Sequence, residues 1–232
     1  MPSSTTEDYL KAVFFGVRDK REGIAKTAGV ASSLKVTAGT ATVMLKQMAK
    51  EGYLEYLPRR GCRLTEKGSD IVLRIIRKHR LIEFFLTEVL HFDWSEVHEE
   101  AEIMEHCFSE KVINRLDEIL GYPKTDPHGD IIPGMNARGH YKMGQLDSKD
   151  KPLADAMEKK IYRISRITNQ DPLFLVELKK SGLLPGTRIQ IVLFEPVLAQ
   201  MTVMLIGSIK TIHISTHVAQ YIRIREENGS YL

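Results

Sequence analysis

A mainly α first half followed by a small all-β domain is the fold class that three features of this 232-residue sequence predict. Apolar residues recur at helical spacing through most of residues 5–120, which indicates a largely helical region. A pair of short extended segments near residues 53–68 follows three of these helices, and that order is typical of a winged helix-turn-helix. After residue 152, β-branched segments separated by turn signals predict a small barrel-like sheet.

The composition is that of an ordinary soluble globular protein, with 43% hydrophobic and 27% charged residues. We find no apolar run of about 18 residues that could span a membrane, and the N-terminus lacks the basic and apolar regions of a signal peptide. Cys62 and Cys107 form neither a disulfide framework nor a CxxC metal motif. A cytoplasmic protein of two or three small domains is therefore expected.

The first 70 residues predict three helices and a β-hairpin. A helix is expected to begin at Thr5 or Thr6, where acidic residues precede apolar ones. The segment GIAKTAGV predicts a short second helix that ends in a turn at Gly29, and a third helix is expected to stop at Gly52. Two extended pieces joined by a turn with the letters RRG complete the wing.

The third helix has the slim, polar N-terminal end that a recognition helix needs in order to enter the major groove. The candidate DNA-binding residues on this helix are Thr37, Gly39, Thr40, Thr42 and Lys46. Arg59, Arg60 and Arg63 on the hairpin could neutralise phosphates beside the groove. Each feature alone could be helix capping or a solvated turn, but their order along the chain favours DNA binding.

Charge is distributed unevenly along the chain. Residues 1–70 contain twelve Lys and Arg against eight Asp and Glu, whereas residues 81–110 contain no Lys or Arg. The segment VHEEAEIMEHCFSE, residues 97–110, carries five carboxylates and two histidines. The basic N-terminal region suggests an anionic partner, and the acidic central region suggests a bound cation.

Residues 69–120 predict two long helices with a wide apolar stripe, whose members are Ile71, Leu73, Ile75, Ile76, Leu81, Ile82, Phe85 and Leu86. A pair of helices without a sheet to cover often packs against a second copy, so a homodimer is expected. Packing within the chain is the alternative.

Four residues in the acidic segment, His98, Glu102, Glu105 and His106, would fall along one face of a continuous helix. The preceding helix carries His79 and Glu83 four residues apart. One such pair is usually a solvated helix face, but two sets on consecutive helices indicate a metal site. Carboxylate and imidazole ligands suit Mn²⁺, Fe²⁺ or Zn²⁺.

Catalysis is poorly supported by the sequence. The letters HEEAE begin like the zinc-protease motif HExxH, but Glu102 replaces the second histidine. Paired Glu-x-x-His segments of di-iron bundles, nucleophile motifs and phosphate-binding glycine loops do not occur. No catalytic residues are predicted, and the chain is not expected to be an enzyme.

Six motifs, in their order along the chain, together resemble the diphtheria-toxin-repressor family of metal-dependent transcriptional regulators. They are TTEDYL, VTAGTATVMLKQMAKEGYL, LTEKG, RKHRLIEFFL, VHEEAEIMEHCFS and DPHGDIIPG. The chain is most similar to the manganese-responsive branch that has a C-terminal SH3-like domain. The resemblance implies a winged helix-turn-helix DNA-binding domain (1–70), a helical dimerisation and metal-binding domain (71–140), a linker (141–152) and an all-β SH3-like barrel (153–232).

The resemblance also implies two metal sites. The first would use Asp8, Glu102, Glu105 and His106, and the second His79, Glu83 and His98. Asp126 and His128 could complete the second site, with Asp171 of the SH3-like domain as a further candidate. Iron-responsive members have Met and Cys in place of Asp8 and Glu102, so hard oxygen here favours Mn²⁺.

Two residues depart from the family pattern. Some manganese-responsive members carry a further Glu at the position of Lys11, where it helps to hold a second ion close to the first, and Lys11 would repel that ion. Gly39 stands where the family has a proline near the start of the recognition helix.

These features predict a homodimeric, manganese-responsive repressor that binds double-stranded operator DNA and controls genes of metal-ion uptake or homeostasis. Fe²⁺ and Zn²⁺ are the alternative ions. The alternative functions are an iron-responsive regulator of the same family, a metal-buffering protein, and a metal-independent regulator that senses a small molecule.

Overall fold

The computed structural model describes residues 2–17, 23–136, 140–143, 150–208 and 210–227. Helices dominate the first half of the chain and an antiparallel sheet dominates the second, so the predicted fold class is confirmed. No described helix is both long enough and apolar enough to cross a membrane. The chain divides into two compact units, one within residues 1–79, 105–108 and 133–143 and the other within 80–104, 109–132 and 144–232.

The first unit contains the predicted winged helix-turn-helix. Its elements are α1 (Ser4–Val17), α2 (Thr27–Ser33), α3 (Ala38–Lys50), β1 (Leu54–Leu57), β2 (Gly61–Leu64), the part of α4 (Glu66–Glu88) up to His79, β3 (Gly134–Met135) and β4 (Tyr141–Lys142). The core of this unit packs apolar side chains of the first three helices, the hairpin and the start of α4, among them Leu10, Val13, Leu45, Met48 and Ile76.

The second and third helices end at other residues than the sequence predicted. Gly29 lies inside α2, so the predicted turn at this residue is wrong; the chain turns instead at Lys35, whose φ is 54°. The third helix is capped at its start by Thr37, because the Thr37 hydroxyl accepts a hydrogen bond from the backbone N–H of Thr40 at 3.1 Å. It ends at Lys50, two residues before Gly52.

Gly61 sets the position of the wing. Its φ is +130°, and a Cβ added there would lie 2.0 Å from the carbonyl oxygen of Ala25. The absence of a side chain lets Cys62 and Ala25 exchange two backbone hydrogen bonds, at 2.8 and 2.9 Å. The hairpin is thereby attached to the segment before α2.

The second unit begins with the remainder of α4 and contains α5 (Val97–Met104) and α6 (Glu110–Ile119). The continuous helix expected across residues 98–106 is not formed: α5 ends at Met104, and Glu105 and His106 lie in the turn that follows. The break has a local cause, since the Ser109 hydroxyl accepts from the backbone N–H of Val112 at 3.4 Å and starts a new helix.

The apolar stripe predicted to form a dimer interface is largely covered within the chain. Ile75, Ile76, Leu81, Ile82 and Leu86 are buried, and the other members are partly buried. Intrachain packing therefore explains this stripe, and it does not by itself support a dimer.

The rest of the second unit is a six-stranded antiparallel sheet with the order β5-β10-β6-β7-β8-β9. The strands are β5 (Lys151–Pro152), β6 (Ile161–Ile167), β7 (Arg188–Glu195), β8 (Gln200–Leu205), β9 (Thr211–Ser215) and β10 (Ile222–Glu226), with α7 (Pro172–Ser181) and α8 (Thr216–Ala219) between them. Trp94 packs into the apolar core of this sheet. Residues 144–149 of the predicted linker lie outside the described residues.

Candidate metal centres

The first cluster of metal-ligating side chains joins α1 to the turn after α5. Asp8, Glu105 and His106 each offer one ligand atom, and these atoms lie within 4.8 Å of one another. Nε2 of His106 lies 3.2 Å from Oδ1 of Asp8 and 3.6 Å from Oε1 of Glu105. Two carboxylates and one imidazole form a donor set of oxygen and nitrogen without sulfur, which suits a hard or borderline divalent cation.

Glu7 orients the imidazole of this cluster, although no motif or spacing in the sequence points to this role. Its Oε2 lies 2.7 Å from Nδ1 of His106. Glu7 and Asp8 can both only accept, and Glu7 is the nearer of the two, at 2.7 Å from Nδ1 against 3.2 Å between Asp8 and Nε2. In a neutral ring Nδ1 therefore carries the proton, and Nε2 presents its lone pair toward Asp8 and Glu105. Metal-binding histidines commonly have such a partner on the other ring nitrogen.

Glu105 is the buried member of the first cluster, with its side chain fully inaccessible to solvent. Nζ of Lys11 lies 2.8 Å from its Oε1, and Nδ1 of His79 lies 2.6 Å from its Oε2. Both oxygens therefore have a nitrogen partner inside the first unit. His79, predicted as a ligand of the second site, contacts Glu105 of the first.

The second cluster lies in the second unit and consists of Glu83, Asp126 and His128, all buried, with ligand atoms within 4.8 Å of one another. Nδ1 of His98 lies 3.3 Å from Oε1 of Glu83, and Nδ1 of His128 lies 3.9 Å from Oε2 of the same carboxylate. Glu83 is thus flanked by two imidazoles.

The turn Asp126-Pro127-His128-Gly129-Asp130 supplies two members of this cluster. Oδ1 of Asp126 accepts from the backbone N–H groups of His128 and Asp130, each at 2.9 Å. Its Oδ2 is buried and has no hydrogen-bond partner, although Nε of Arg80 lies 3.4 Å away. One carboxylate oxygen therefore holds the turn while the other remains available to a ligand.

His128 shows a similar division between its two ring nitrogens. Nε2 lies 2.9 Å from the carbonyl oxygen of Trp94, which can only accept, so Nε2 carries a proton. Nδ1 is buried without a hydrogen-bond partner. Nδ1 is consequently the atom that can bind either a proton or a cation, and its surroundings fit a metal ligand.

Burial raises the pKa of Asp126 to about 7, and the charges of Glu83 and Asp130 act in the same direction against Arg80 and His128. Carboxylates crowded in a buried place disfavour their own ionisation, and a divalent cation would reverse that effect. The second cluster is therefore electrostatically suited to a cation.

The sheet domain holds the turn at residues 126–130, and Asp171 lies outside the second cluster. Asp171 caps α7 by accepting from the backbone N–H of Phe174 at 3.0 Å, and it belongs to none of the possible metal groups found among the described residues. On β6, the backbone N–H of Ile167 donates to the carbonyl oxygen of His128 at 2.9 Å, and Nη1 of Arg166 lies 3.1 Å from Asp130. Glu102, predicted for the first site, lies 3.8 Å from His98 in the second unit.

The predicted DNA-contact residues lie at the surface of the first unit. Thr37, Gly39, Thr40, Lys46, Arg59 and Arg60 are exposed, and Thr42 is partly exposed. Arg59 adopts a φ of 64° at the tip of the hairpin. Arg63 contacts Glu55, with 2.7 Å between Nε and the carboxylate.

Models of known families match nearly the whole chain. Residues 1–62 match the N-terminal DNA-binding domain of iron-dependent repressors, and residues 65–134 match their metal-binding and dimerisation domain. Residues 151–226 match the FeoA domain. The iron-dependent repressor IdeR of Mycobacterium leprae is 30% identical over 204 residues, which cover 81% of this chain and 83% of that protein. The chain belongs to this repressor family. The resemblance predicted from its motifs is confirmed.

Other relatives of this repressor include both iron and manganese types. The diphtheria toxin repressor of Corynebacterium glutamicum is 30% identical over 193 residues, covering 81% of this chain and 83% of its own. The regulator MntR of Oceanobacillus iheyensis is 32% identical over 126 residues, covering 54% of this chain and 84% of its own.

Solved structures support the same family. A manganese-dependent transcriptional repressor in complex with manganese has a TM-score of 0.83 and 28% identity, covering 96% of this chain and all of its own. ScaR with bound Cd²⁺ has a TM-score of 0.77 and 30% identity, covering 97% of this chain and all of its own. The repressor is therefore a metal-dependent transcriptional regulator with the fold of these proteins.

Proposed function

We propose that this repressor responds to Mn²⁺ by binding operator DNA as a homodimer and thereby controls genes of metal-ion uptake or homeostasis. It is not an enzyme, in keeping with relatives that are transcriptional repressors. Since it acts on DNA, its place of action is the cytoplasm.

The first cluster is the observation that carries the proposal. Asp8 belongs to the stretch matched by the DNA-binding family model, and Glu105 and His106 belong to the stretch matched by the metal-binding and dimerisation model. A divalent cation would bind the Asp8 carboxylate on one side and Glu105 and His106 on the other. Asp8 would then be drawn to Glu105 and His106, which restricts α1 and, through the packed core, the recognition helix α3.

The second cluster supports binding of a further cation. Glu83, Asp126 and His128 are buried, and each offers one ligand atom within 4.8 Å of the others. Oδ2 of Asp126 and Nδ1 of His128 are both buried without hydrogen-bond partners. A buried polar atom without a partner is costly, and a cation would satisfy both atoms at once. His98 lies at the edge of this cluster and can serve as a fourth ligand.

Manganese is favoured over iron by the chemistry of the donors. The first cluster contains carboxylate and imidazole donors and no sulfur. Soft sulfur ligands would favour metals late in the first transition row, whereas carboxylates suit Mn²⁺. Relatives named for manganese and relatives named for iron both occur, so the alternative is an iron-responsive regulator.

Homodimer formation is supported by the match to a dimerisation domain and by apolar side chains that remain exposed in the helical part of the second unit. Ile103 is 66% exposed and Ile119 is 64% exposed, and Val89 and Leu90 are also exposed. Two recognition helices related by a two-fold axis would enter successive major grooves if they lie roughly 34 Å apart.

The test is selection of genomic DNA fragments by metal-stripped protein, with Mn²⁺, Fe²⁺, Zn²⁺ or no metal added. We expect specific fragments to be recovered with Mn²⁺ and not without metal. His106→Ala is expected to abolish recovery, while His217→Ala, which removes an exposed histidine outside both clusters, is expected to leave it unchanged. Recovery regardless of metal would contradict the proposal, as would the absence of specific recovery under every condition.

The wing provides a second test. Replacing Arg59 and Arg60 by Gln is expected to weaken binding to all DNA sequences and to reduce the slope of log affinity against log salt by about 1 for each phosphate that the variant no longer neutralises. Arg63→Gln is the matched control, because Glu55 already neutralises this arginine. An unchanged salt slope in the double variant would show that the wing does not contact phosphate.

A further inference from the structure

Lys11 places a buried ammonium group directly on a candidate metal ligand. Lys11 is 9% exposed, and its Nζ lies 2.8 Å from Oε1 of Glu105. We propose that this ammonium acts as a resident cation that competes with the divalent cation of the first cluster and so raises the metal concentration at which the cluster fills. The inference rests on the proposed function, because it concerns the same cluster.

The geometry brings the ammonium and the candidate ligands to the same carboxylate oxygen. Oε1 of Glu105, which contacts Lys11, also lies 3.6 Å from Nε2 of His106. That imidazole nitrogen in turn lies 3.2 Å from Oδ1 of Asp8. A cation shared by these three ligands would therefore lie close to the Lys11 ammonium.

Helical spacing explains how Lys11 reaches this position. Lys11 and Asp8 are three residues apart on α1 and so lie on the same face of the helix. The neighbouring residues Leu10 and Val13 are buried in the apolar core. A charged side chain in such surroundings is costly unless an opposite charge is paired with it, and Glu105 provides that charge.

Electrostatics then gives the direction of the effect. The Glu105 carboxylate already has Lys11 at one oxygen and His79 at the other. A divalent cation must either displace the ammonium from Oε1 or remain beside it at a short distance in a buried environment. Displacement breaks a buried ion pair, and coexistence adds repulsion between like charges, so either route weakens cation binding.

A structural role for Lys11 predicts the opposite result. If the ion pair merely holds Glu105 in place for the cation, removing the ammonium would disorder a ligand and weaken binding. If the ammonium competes, removing it would leave Glu105 with unmet negative charge and tighten binding. The sign of the change in affinity therefore separates the two roles.

The experiment titrates Mn²⁺ into metal-stripped full-length protein and measures free Mn²⁺ by electron paramagnetic resonance. Lys11→Met keeps the apolar stem and removes the charge. We expect the dissociation constant for Mn²⁺ at the first cluster to fall about tenfold, which is a smaller free-energy change than the loss of a whole buried ion pair. Lys11→Arg keeps the charge and is expected to remain within about twofold of the wild type. Lys50→Met, at an exposed lysine of α3, is the matched control.

Thermal unfolding provides a second readout that does not depend on DNA binding. Metal-free Lys11→Met is expected to unfold at a lower temperature than the wild type. Added Mn²⁺ is expected to raise its unfolding temperature by more than that of the wild type, since a ligand that binds the folded state more tightly stabilises it more. Equal or weaker Mn²⁺ binding by Lys11→Met would overturn the inference.

His106→Ala distinguishes failure of the inference from failure of the proposed function. If this variant binds as many Mn²⁺ ions as the wild type with equal affinity, the first cluster is not a metal site and both ideas fail. If it loses an ion while Lys11→Met binds no tighter than the wild type, the proposed function stands and the role of Lys11 alone is refuted.

Discussion

The carboxylate of Glu7 lies 2.7 Å from Nδ1 of His106 and thereby fixes which ring nitrogen faces Asp8. The imidazole would otherwise be free to turn or to change tautomer, and Nε2 would not be held ready as a ligand. Glu7 precedes Asp8 by one residue, so α1 provides one side chain that orients the ligand histidine and another that offers a ligand itself.

Glu7→Ala is expected to weaken Mn²⁺ binding at the first cluster by about 10- to 100-fold, as is typical when the partner of a metal-binding histidine is removed. The measurement is a Mn²⁺ titration of metal-stripped protein. Glu7→Gln retains an acceptor for the Nδ1 proton and is expected to lose less affinity than Glu7→Ala. Equal affinities for wild type and Glu7→Ala would contradict the orienting role.

The sequence alone predicted elements whose signals are local. The β-branched segments after residue 152 predicted strands, and β6 is one of them. The threonine-rich start of the third helix has a capping hydrogen bond of the kind that its residue type favours. The break after Met104 was missed although Ser109 and Glu110 carry a helix-start signal, because the apolar and acidic pattern continues across it.

The candidate site was harder to predict in detail because its members are far apart in sequence. Lys11 and Glu105 are separated by 94 residues, and no spacing rule links them. The structure brings together Asp8, Glu105 and His106, three of the four residues expected for the first site. The part played by Glu7 depends on side-chain direction in the folded chain. Helical spacing could place His98 and Glu102 together, which the structure does at 3.8 Å.

Cation binding at the second cluster is expected to depend on pH. In the metal-free protein the pKa of Asp126 is raised to about 7 by burial and by the charges of Glu83 and Asp130. A raised pKa means that the folded protein holds a proton there below pH 7, and a cation must displace it. Although burial acts to lower it, the pKa of His128 is also raised, since the Glu83 and Asp126 carboxylates outweigh burial, so a cation must displace the Nδ1 proton of His128 as well. Affinity is therefore expected to rise by at least about tenfold per pH unit below pH 7.

Trp94 is a natural reporter for this measurement. It is the single tryptophan of the chain, and its ring stacks on His128 with 5.4 Å between centroids. Paramagnetic Mn²⁺ bound at the second cluster is expected to quench its fluorescence, and the midpoint of quenching at pH 5.5, 6.5 and 7.5 gives the affinity. His128→Ala is expected to abolish the quenching phase. A midpoint that stays constant between pH 5.5 and 7.5 would refute proton displacement.

Gly39 is predicted to serve DNA approach and not the fold. It occupies an exposed position in the first turn of α3, and an added Cβ would meet just one atom within 4 Å, Oγ1 of Thr37 at 3.7 Å. Gly39→Ala is therefore expected to stabilise the protein by up to about 1 kcal/mol, because alanine favours the helix. The same methyl group would obstruct close approach to DNA and is expected to weaken operator binding.

Gly29→Ala is the matched control for this prediction. Gly29 lies inside α2, is exposed, and an added Cβ there meets nothing within 4 Å. A similar gain in the free energy of unfolding without loss of operator affinity is expected, measured by urea unfolding and fluorescence anisotropy. If Gly39→Ala binds the operator as tightly as Gly29→Ala, steric access is not the reason for a glycine at residue 39.

Arg166 is predicted to connect the folding of the sheet with the geometry of the second cluster. Its Nη1 lies 3.1 Å from Asp130 and its Nε lies 2.9 Å from Asp150, and both Arg166 and Asp130 are buried. Arg166→Met would leave two carboxylates with weaker compensation, so a loss of roughly 3 kcal/mol in the free energy of unfolding is expected. The turn that carries Asp126 and His128 would also lose an anchor, and Mn²⁺ binding at the second cluster is expected to weaken.

Arg163→Met on the same strand separates this effect from a general loss of charge. Arg163 is about half exposed and pairs with Glu227 at 2.6 Å, so its replacement is expected to cost less than about 1 kcal/mol. Urea unfolding followed by Trp94 fluorescence, with and without Mn²⁺, measures both quantities in one series. The turn remains attached to β6 without Arg166, because the backbone N–H of Ile167 also donates to the carbonyl oxygen of His128 at 2.9 Å. Arg166→Lys restores a positive charge beside this turn and is therefore expected to bind Mn²⁺ more tightly than Arg166→Met. Equal Mn²⁺ affinities in Arg166→Met and Arg163→Met would show that the ligand turn keeps its geometry without Arg166.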